Sequence, residues 1–384
     1  MTVAIVAGPV ANKPWNGGNA WVPFGYVSGL RRLGFETFLV EELDASTCVD
    51  PQGAAASFRN SSNLAFFAEV ADKLGQADRS VLVCGEEVWG MEPSQLPDML
   101  GEADLLFNIS GHLGGKLRDM PRRAVYIDLD PGYTQFWHAQ GIEGPRLPGH
   151  DAYFSVGTNI GRLDCRIPSG DIRWIPTLPP TVLDEWPVVD LAETGRFTTV
   201  ASWRGPFGPV TDGDRTYGLK VHEFRKFAEL PERVPATLEV ALDIHPADGR
   251  DRDLLLSRGW RGIDPSREVA TPLDFRRYVQ GSSAEFSVAQ GIYVETRSGW
   301  FSDRTARYLA SGRPAVVQET GFGRTLPIGE GLLTFQTLNE AVARVQEVME
   351  DPERHRKAAR ALAEEHLGSD AVLGKILEVV GVAP

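Results

Sequence analysis

The chain has few cysteines, no long apolar run and no excess of basic residues, and each absence excludes a class of protein. Its three cysteines, Cys48, Cys84 and Cys165, stand far apart and outside any metal-binding spacing, which argues against a structural metal and favours a reducing compartment. No run of 18 apolar residues occurs, so we expect no membrane span. The formal net charge of −13 opposes a general nucleic-acid-binding role, because that role requires a basic surface.

The N-terminal sequence and the chain length indicate further what kind of protein this is. MTVAIVAGPV has no basic segment before its apolar run and is typical of a strand, so we expect no signal peptide and a cytoplasmic protein. A chain of 384 residues exceeds one hydrophobic core of ordinary size, which favours two domains. With 42% hydrophobic and 24% charged residues, the composition is that of an ordinary globular protein.

Apolar strand patterns alternate with amphipathic helix patterns along the chain. The first strand pattern is residues 3–10, and the alternation continues as far as the run AYFSVG. The next stretch, residues 172–194, is rich in proline and has no periodicity, which is typical of a linker. The alternation restarts at FTTVASW and ends in residues 337–367, whose pattern predicts one helical stretch throughout.

This alternation predicts the fold class. Apolar strands separated by helices are typical of doubly wound parallel sheets, so we predict an α/β protein with two Rossmann-like domains that face each other across a cleft. In such sheets ligands bind at the carboxyl ends of the strands. The predicted parts are an N-terminal domain (1–183), a linker (184–196), a C-terminal domain (197–368) and a last helix (369–384) that can pack back on the N-terminal domain.

Four residues follow predicted strands of the first domain. Gly17 and Gly18 lie in a loop that lacks the GxGxxG fingerprint; they would let the backbone approach a ligand, or they form a merely flexible turn. His112 follows DLLFNIS and is a candidate catalytic base, with a loop or core role as the alternative. Asp130 follows RAVYIDLD and is a second catalytic candidate, although an Asp-Pro pair also serves simply as a turn.

The second domain offers cations and a helix start. Arg204 and Lys220 flank the long loop after FTTVASW and suit an anion such as a diphosphate, unless they belong to a solvated loop. Ser302 and Asp303 can cap a helix whose N-terminus, together with Arg304, suits a phosphate. The strand pattern of residues 315–318 then leads to the polar loop Glu319, Thr320 and Gly321.

This last stretch carries a resemblance to a known family. SGWFSDRTARYLASGRPAVVQETGFGRTLPIGEGLLTFQTLNEA resembles the donor-binding segment of the GT-B glycosyltransferases, and similar strings occur in bacterial glycosyltransferase-like proteins. The resemblance implies a GT-B fold and a nucleotide-sugar donor, with UDP or dTDP as the nucleotide. It implies contacts to the diphosphate from Ser302, Asp303 and Arg304 and contacts to the sugar from Glu319, Thr320 and Gly321. Ser298 and Gly299, in the loop before the helix, are also assigned to donor binding.

One departure from the family pattern leaves the stereochemistry open. Retaining members carry a Glu-x7-Glu pair across this segment, whereas the aligned positions here are Gly299 and Arg307. An inverting reaction needs a base for the acceptor hydroxyl, and His112 is the candidate; in a retaining reaction His112 could only bind. The sequence has no DxD motif in a suitable loop, which is consistent with a reaction that needs no metal and no other cofactor.

The sequence therefore predicts a metal-independent glycosyltransferase that moves a sugar from a nucleotide diphosphate sugar to a hydroxyl of a small-molecule acceptor. Gly17, Gly18 and Tyr133 are assigned to the acceptor side. The aromatic residues near the loops of the first half favour a bulky acceptor and could equally be core; they are Trp15, Trp21, Phe24, Tyr133, Phe136 and Trp137. Two alternatives stay open. One is a nucleotide-sugar epimerase of the same shape, and the other is a non-catalytic nucleotide-sugar-binding protein.

Overall fold

The framework of the molecule is a pair of β-sheets, one from each half of the chain. The computed structural model describes residues 1–190, 194–205 and 207–383. The strands of the first half are β1 (Val3–Ala7), β2 (Glu36–Glu42), β3 (Ser80–Cys84), β4 (Glu87–Trp89), β5 (Leu105–Ile109), β6 (Ala124–Asp128), β7 (Ala152–Ser155) and β8 (Trp174–Pro176). The helices of this half are α1 (Gly17–Arg32), α2 (Ser62–Lys73), α3 (Leu96–Glu102), α4 (Gly115–Arg118) and α5 (Tyr133–Ala139).

The first sheet has the strand order β4-β3-β2-β1-β5-β6-β7-β8. Neighbouring strands run parallel, except that β4 is antiparallel to β3. The order steps outward from β1 in both directions, which is the doubly wound arrangement. β5, near the middle, is buried along its whole length. Helices on both faces of the sheet explain why such strands are unbroken apolar runs in the sequence.

The second half forms the other sheet. Its strands are β9 (Arg196–Ser202), β10 (Val210–Asp212), β11 (Arg215–Tyr217), β12 (Thr237–Asp243), β13 (Arg261–Ile263), β14 (Ala284–Ser287), β15 (Ala315–Gln318) and β16 (Leu332–Phe335). Its helices are α6 (Lys220–Phe224), α7 (Gly249–Ser257), α8 (Pro265–Glu268), α9 (Pro272–Gln280), α10 (Gly291–Thr296), α11 (Asp303–Ala310), α12 (Leu338–Glu350), α13 (Pro352–His366) and α14 (Ser369–Val380).

The second sheet has the order β13-β12-β9-β14-β15-β16, with every pair parallel. β10 and β11 form a separate antiparallel hairpin within the long loop that follows β9. Both halves of the chain are therefore doubly wound α/β units. The predicted fold class is confirmed.

The proline-rich stretch contains a strand that the sequence pattern did not predict. β8 pairs in parallel with β7, placing Ile175 opposite Phe154. It is the edge strand, where proline is tolerated because one side needs no ladder hydrogen bonds. Residues 191–193 of the predicted linker lie outside the described residues, and the predicted domain limits stay a prediction.

The prediction of one helix over residues 337–367 is wrong in one detail, because the structure has two helices there, α12 and α13. Asp351 separates α12 from α13, and its carboxylate accepts a hydrogen bond of 3.2 Å from the backbone N–H of Arg354. Pro352 is the first residue of α13 and has no N–H to continue the preceding helix. An N-cap followed by proline restarts the helix at this point.

The C-terminal helix α14 lies against the first half of the chain. The backbone N–H of Thr181 donates to the carbonyl of Leu367 at 2.9 Å, and the backbone N–H of Ser369 donates to the carbonyl of Thr181 at the same distance. α14 also packs on α1, where an added Cβ at Gly29 would lie 2.5 Å from Leu373. The chain therefore returns to its first half after the second sheet is complete.

The N-terminus of α1 contacts the start of α9 and the residues just before it. The N–H of Gly17 donates to the carbonyl of Val269 at 3.2 Å, and the indole N–H of Trp21 donates to the carbonyl of Pro272 at 2.8 Å. An added Cβ at Gly17 would lie 2.1 Å from the carbonyl oxygen of Thr271. A backbone atom cannot move aside as a flexible side chain can, so this contact requires glycine.

We predict that Gly17→Ala destabilises the protein by about 1–3 kcal/mol, because it overpacks a backbone contact. Calorimetric unfolding should show a Tm lowered by several degrees. Gly101→Ala is the matched control, since its added Cβ meets nothing within 4 Å and alanine is the better helix former. Equal melting temperatures for the two variants would contradict the contact.

Candidate active site

The two halves enclose a cavity of about 760 Å³. Lys13, Trp15 and Asn16, on the loop between β1 and α1, line its first-half wall. Asp303 and Arg304, at the start of α11, line the opposite wall together with the carboxyl ends of β9 and β12. Carboxyl ends of central strands from both sheets thus meet at one cleft, where this fold class binds ligands.

The loop after β1 is fixed by a buried carboxylate. Glu41, on β2, accepts backbone N–H groups from Val10, Ala11 and Asn12 at 2.8, 2.6 and 2.8 Å. Burial raises the pKa of Glu41 to about 7, against the effect of these three hydrogen bonds. Because an internal carboxylate uses these N–H groups, a ligand phosphate cannot. In the sequence Glu41 is one of three glutamates in the strand ETFLVEE, so its structural role could not be told from the pattern alone.

Gly17 and Gly18 pack against the second half of the chain. The contact of Gly17 with Val269 and Thr271 is described above, and an added Cβ at Gly18 would lie 2.8 Å from the ring of Phe275. Gly18 also lines the cleft. The close backbone approach expected here is made to another part of the protein; an approach to an acceptor stays a prediction.

The start of α11 has the predicted cap. The hydroxyl of Ser302 accepts a hydrogen bond of 3.2 Å from the backbone N–H of Arg304. Asp303 forms an ion pair with Arg307, one turn further along the helix. Ser302 is buried, whereas Asp303 and Arg304 are half-buried and face the cleft.

The guanidinium of Arg304 is held in a fixed position. It donates to the carboxylate of Glu285 at 2.7 Å, to the carbonyl of Val200 at 2.8 Å and to the hydroxyl of Ser287 at 2.5 Å. An arginine has five N–H donors, so two remain beyond these three bonds. Glu285 on β14 is fully buried, and its carboxylate orients Arg304, a residue of the cleft.

Lys220, the first residue of α6, lies near this pair. Its side chain is 9% exposed, and within the described ranges its ammonium group has no hydrogen-bond or ion-pair partner. Burial, followed by the charge of Arg304, lowers the pKa of Lys220 to about 7, while Glu285 acts in the opposite direction. The Lys220 ammonium and the Arg304 guanidinium therefore both lie within the electrostatic reach of Glu285, whose carboxylate is hydrogen-bonded to Arg304.

Arg204, predicted to act with Lys220, lies elsewhere. Its guanidinium makes two hydrogen bonds to the carboxylate of Asp248, at 2.7 and 2.5 Å, and its side chain is largely exposed. The structure thus places Lys220 beside Arg304 and places Arg204 on Asp248. A donor contact from Arg204 stays a prediction, and it would have to compete with this pair.

The remaining predicted donor residues lie at a second contact between the halves. Ser298 is buried, and Gly299, at φ +75°, donates its N–H to the carbonyl of Thr320 at 2.8 Å. The side chain of Thr158 donates to the carbonyl of Gly299 at 3.2 Å, and that of Asn159 donates to the carbonyl of Gly321 at 3.0 Å. Residues from the first half therefore cover this loop.

Glu319, Thr320 and Gly321 line a separate cavity of about 590 Å³. Arg324 also lines this cavity. Its guanidinium makes hydrogen bonds of 2.9 and 2.6 Å to Asp164 of the first half. Asp303 and Arg304 thus line the 760 Å³ cleft, whereas the predicted sugar residues line this other cavity.

Asp130 and His112 both lie within the electrostatic reach of Lys13. The hydroxyl of Tyr293 donates to Asp130 at 2.9 Å. Burial, reinforced by Asp128, raises the pKa of Asp130 to about 6. Burial also lowers the pKa of His112 to about 4, with further lowering by nearby cations that include Lys13.

Tyr133 belongs to an aromatic cluster between the halves. Its ring centroid lies 4.9 Å from that of Phe207, 5.6 Å from that of Trp137 and 6.2 Å from that of Tyr293. The side chain is 2% exposed, and burial raises the pKa of its hydroxyl. Of the two interpretations of the aromatic residues, this environment is that of a core; an acceptor contact by Tyr133 stays a prediction.

Two further properties concern the described part of the chain. There, no group of three or more His, Cys, Asp or Glu residues is arranged to hold a metal ion. No helix among these residues is sufficiently long and apolar to cross a membrane.

Comparisons with known proteins identify the class. Residues 232–370 match a family described as glycosyl transferase-like. An alpha-glucosyltransferase in complex with UDP and a 13-mer DNA is similar in fold, with a TM-score of 0.56, 12% identity and full coverage of both chains. Anabaena Alr3699/HepE in complex with UDP-glucose has a TM-score of 0.61 and 10% identity, covering 98% of this chain and 99% of its own.

A glycosyltransferase from Rickettsia africae has a TM-score of 0.51 and 10% identity, covering 98% of this chain and 97% of its own. No curated protein is similar enough in sequence to count as a match. The chain has the fold of the GT-B glycosyltransferases and carries a glycosyl transferase-like domain at residues 232–370. The predictions of a GT-B fold and of a glycosyltransferase are confirmed.

The Tyr293 hydroxyl gives a testable pKa effect. Its hydrogen bond stabilises the ionised form of Asp130, so we predict that Tyr293→Phe raises the pKa of Asp130 above about 6, by roughly one unit. The measurement is a ¹³C NMR titration of aspartate-labelled protein, with Asp130→Asn to assign the resonance. An unchanged or lowered pKa would show that the hydrogen bond does not act on Asp130.

Proposed function

We propose that the protein transfers a sugar from a nucleotide diphosphate sugar, with UDP or dTDP as the nucleotide, to a hydroxyl of a small-molecule acceptor. The observation that carries this proposal is a pair of neighbouring cationic side chains beside one carboxylate: the Arg304 guanidinium, which Glu285 holds in the wall of the cleft, and the buried Lys220 ammonium. Their excess positive charge is costly to bury. A diphosphate would balance it.

The start of α11 supplies the rest of the diphosphate site. The two free donors of Arg304 and the partial positive charge of the helix N-terminus act on the same wall of the cleft. As the bond from sugar to diphosphate breaks, negative charge grows on the leaving oxygen. Fixed donors stabilise that charge without reorganising, so the proposed reaction needs no metal ion.

The nucleoside has room on the same side. A cavity of about 330 Å³ lies among β12, α7 and β13, and its walls include Leu242, Trp260 and Ile263. Pro265 lines both this cavity and the cleft. An apolar slot that adjoins a cationic site suits a base and ribose attached to a diphosphate.

Asp130 fits the role of base better than His112 does. An efficient base has a pKa near the working pH, and the pKa of Asp130 is raised to about 6, whereas that of His112 is lowered to about 4. In an inverting transfer Asp130 would take the proton of the acceptor hydroxyl. We keep the acceptor a small molecule, because the net charge of −13 opposes a polyanionic acceptor such as nucleic acid.

Lys220→Met tests the donor site. It should weaken UDP binding at least tenfold at pH 7, or about 1.4 kcal/mol, as measured by titration calorimetry. The variant leaves Glu285 paired with Arg304, so it strands no buried carboxylate. Lys357→Met is the matched control, because Lys357 is exposed and its ion-pair partner Glu353 is exposed as well. An equal affinity for UDP in the two variants would remove Lys220 from the site.

The pH dependence gives a second readout for the same variants. Lys220 is charged below its pKa of about 7 and neutral above it. UDP affinity of the wild type should therefore fall between pH 7 and pH 9, where the phosphates are already ionised. Lys220→Met should show a nearly constant affinity over that range. A wild-type affinity that rises with pH would contradict the proposed site.

Turnover of UDP-glucose and related donors tests the reaction and the base. We predict UDP release whose rate falls as pH drops below about 6, because Asp130 must be ionised to accept a proton. Asp130→Asn should lower the rate about 100-fold or more, and His112→Ala should lower it less. Asp171→Asn, at an exposed carboxylate, is the control. Epimerised donor, or tight binding without any turnover, would instead support the two alternative functions.

A further inference from the structure

The loop between β1 and α1 exposes a tryptophan at the mouth of the cleft. Trp15 is 43% exposed, and within the described ranges it is the aromatic residue left exposed, while the others are buried or half-buried. It lines the 760 Å³ cavity between Lys13 and Asn16. Its ring centroid lies 5.2 Å from that of Phe66 at an angle of 60°, so the indole has support inside its own half.

The backbone conformation that exposes Trp15 costs free energy. Trp15 has a φ of +64°, in the left-handed region that a bulky residue rarely adopts. The loop around it does not relax, because both of its ends are anchored. Glu41 binds the backbone at its start, and the side chain of Asn16 caps α1 at its end, accepting from Asn19 at 3.2 Å. Strain held in an anchored loop is typical of a functional position.

The neighbours of Trp15 suit a particular chemistry. A pyranose has C–H faces that pack on an aromatic ring and hydroxyl groups around its edge that need hydrogen-bond partners. Trp15 supplies the ring, and Lys13 and Asn16 supply polar groups on either side of it. Binding sites of this kind combine apolar surface with a few placed polar groups.

Trp15 lies on the wall opposite the proposed diphosphate site. Lys220, Arg304 and the apolar cavity for the nucleoside all belong to the second half. Lys13, two residues before Trp15, is close enough to influence both Asp130 and His112. A ring packed on Trp15 would therefore lie across the cleft from the proposed donor site, next to the Lys13 ammonium that acts electrostatically on the candidate base.

We propose that Trp15 is the stacking platform of the acceptor subsite and that the acceptor presents a sugar ring there. The proposal rests on the proposed glycosyl transfer and specifies its acceptor class as a glycoside. Lys13 and Asn16 would bind hydroxyl groups of that ring and orient one of them toward Asp130. A nucleobase on Trp15 is the competing occupant, and it would make Trp15 part of the donor site.

The test uses the full chain saturated with UDP and a panel of methyl glycosides: methyl α- and β-glucoside, β-galactoside and α-mannoside. Saturation-transfer NMR should detect at least one of them on the wild type. We expect Trp15→Ala to reduce that signal at least fivefold and Trp15→Phe to retain about half of it. Ile142→Ala, which removes an exposed apolar side chain elsewhere in the first half, should leave the signal unchanged.

Calorimetry with UDP separates this proposal from the proposed function. If the wild type does not bind UDP, the donor assignment fails. If it binds UDP, three results would overturn the acceptor platform: no methyl glycoside binds, Trp15→Ala leaves the glycoside signal intact, or Trp15→Ala weakens UDP binding tenfold. The last result would assign Trp15 to the nucleoside. An unchanged UDP affinity together with a lost glycoside signal supports the platform.

Discussion

The buried charge cluster of Lys220, Arg304 and Glu285 is the constraint on which the site depends. Glu285 lies in the middle of the second sheet with no exposed surface, and it holds Arg304 at 2.7 Å. Glu285 is paired with Arg304, while the Lys220 ammonium nearby has no hydrogen-bond or ion-pair partner among the described residues, so the proposed diphosphate would supply the missing negative charge. Because Glu285, Val200 and Ser287 all lie on or beside sheet strands, the guanidinium is positioned by the rigid part of the fold.

In the first half, backbone N–H groups that could have bound a phosphate already donate to a carboxylate. The loop after β1 resembles a phosphate-binding turn in position, yet Glu41 already occupies three of its N–H groups. The same carboxylate makes the loop rigid, which fixes Lys13 and Trp15 at the cleft. In the proposed function, Glu41 keeps the diphosphate away from this loop, and Glu285 positions Arg304 for it in the second half.

The sequence predicted the fold well because strand and helix periodicity depends on burial, and both sheets are buried on two faces. It also located the start of α11, since Ser302 and Asp303 are ordinary capping residues. It could not predict β8. Nor could it predict that Lys220 lies near Arg304 while Arg204 pairs with Asp248. Those depend on contacts between residues that lie far apart in the sequence. The contacts of Thr158 and Asn159 with the Gly299–Gly321 region were hidden for the same reason.

The most direct measurement is the crystal structure of the protein with UDP bound. The account predicts a diphosphate within hydrogen-bond distance of the Lys220 ammonium, the free N–H groups of Arg304 and the N-terminus of α11, with the base toward Pro265. A diphosphate bound instead by the loop after β1, with Glu41 displaced from Val10, Ala11 and Asn12, would contradict it.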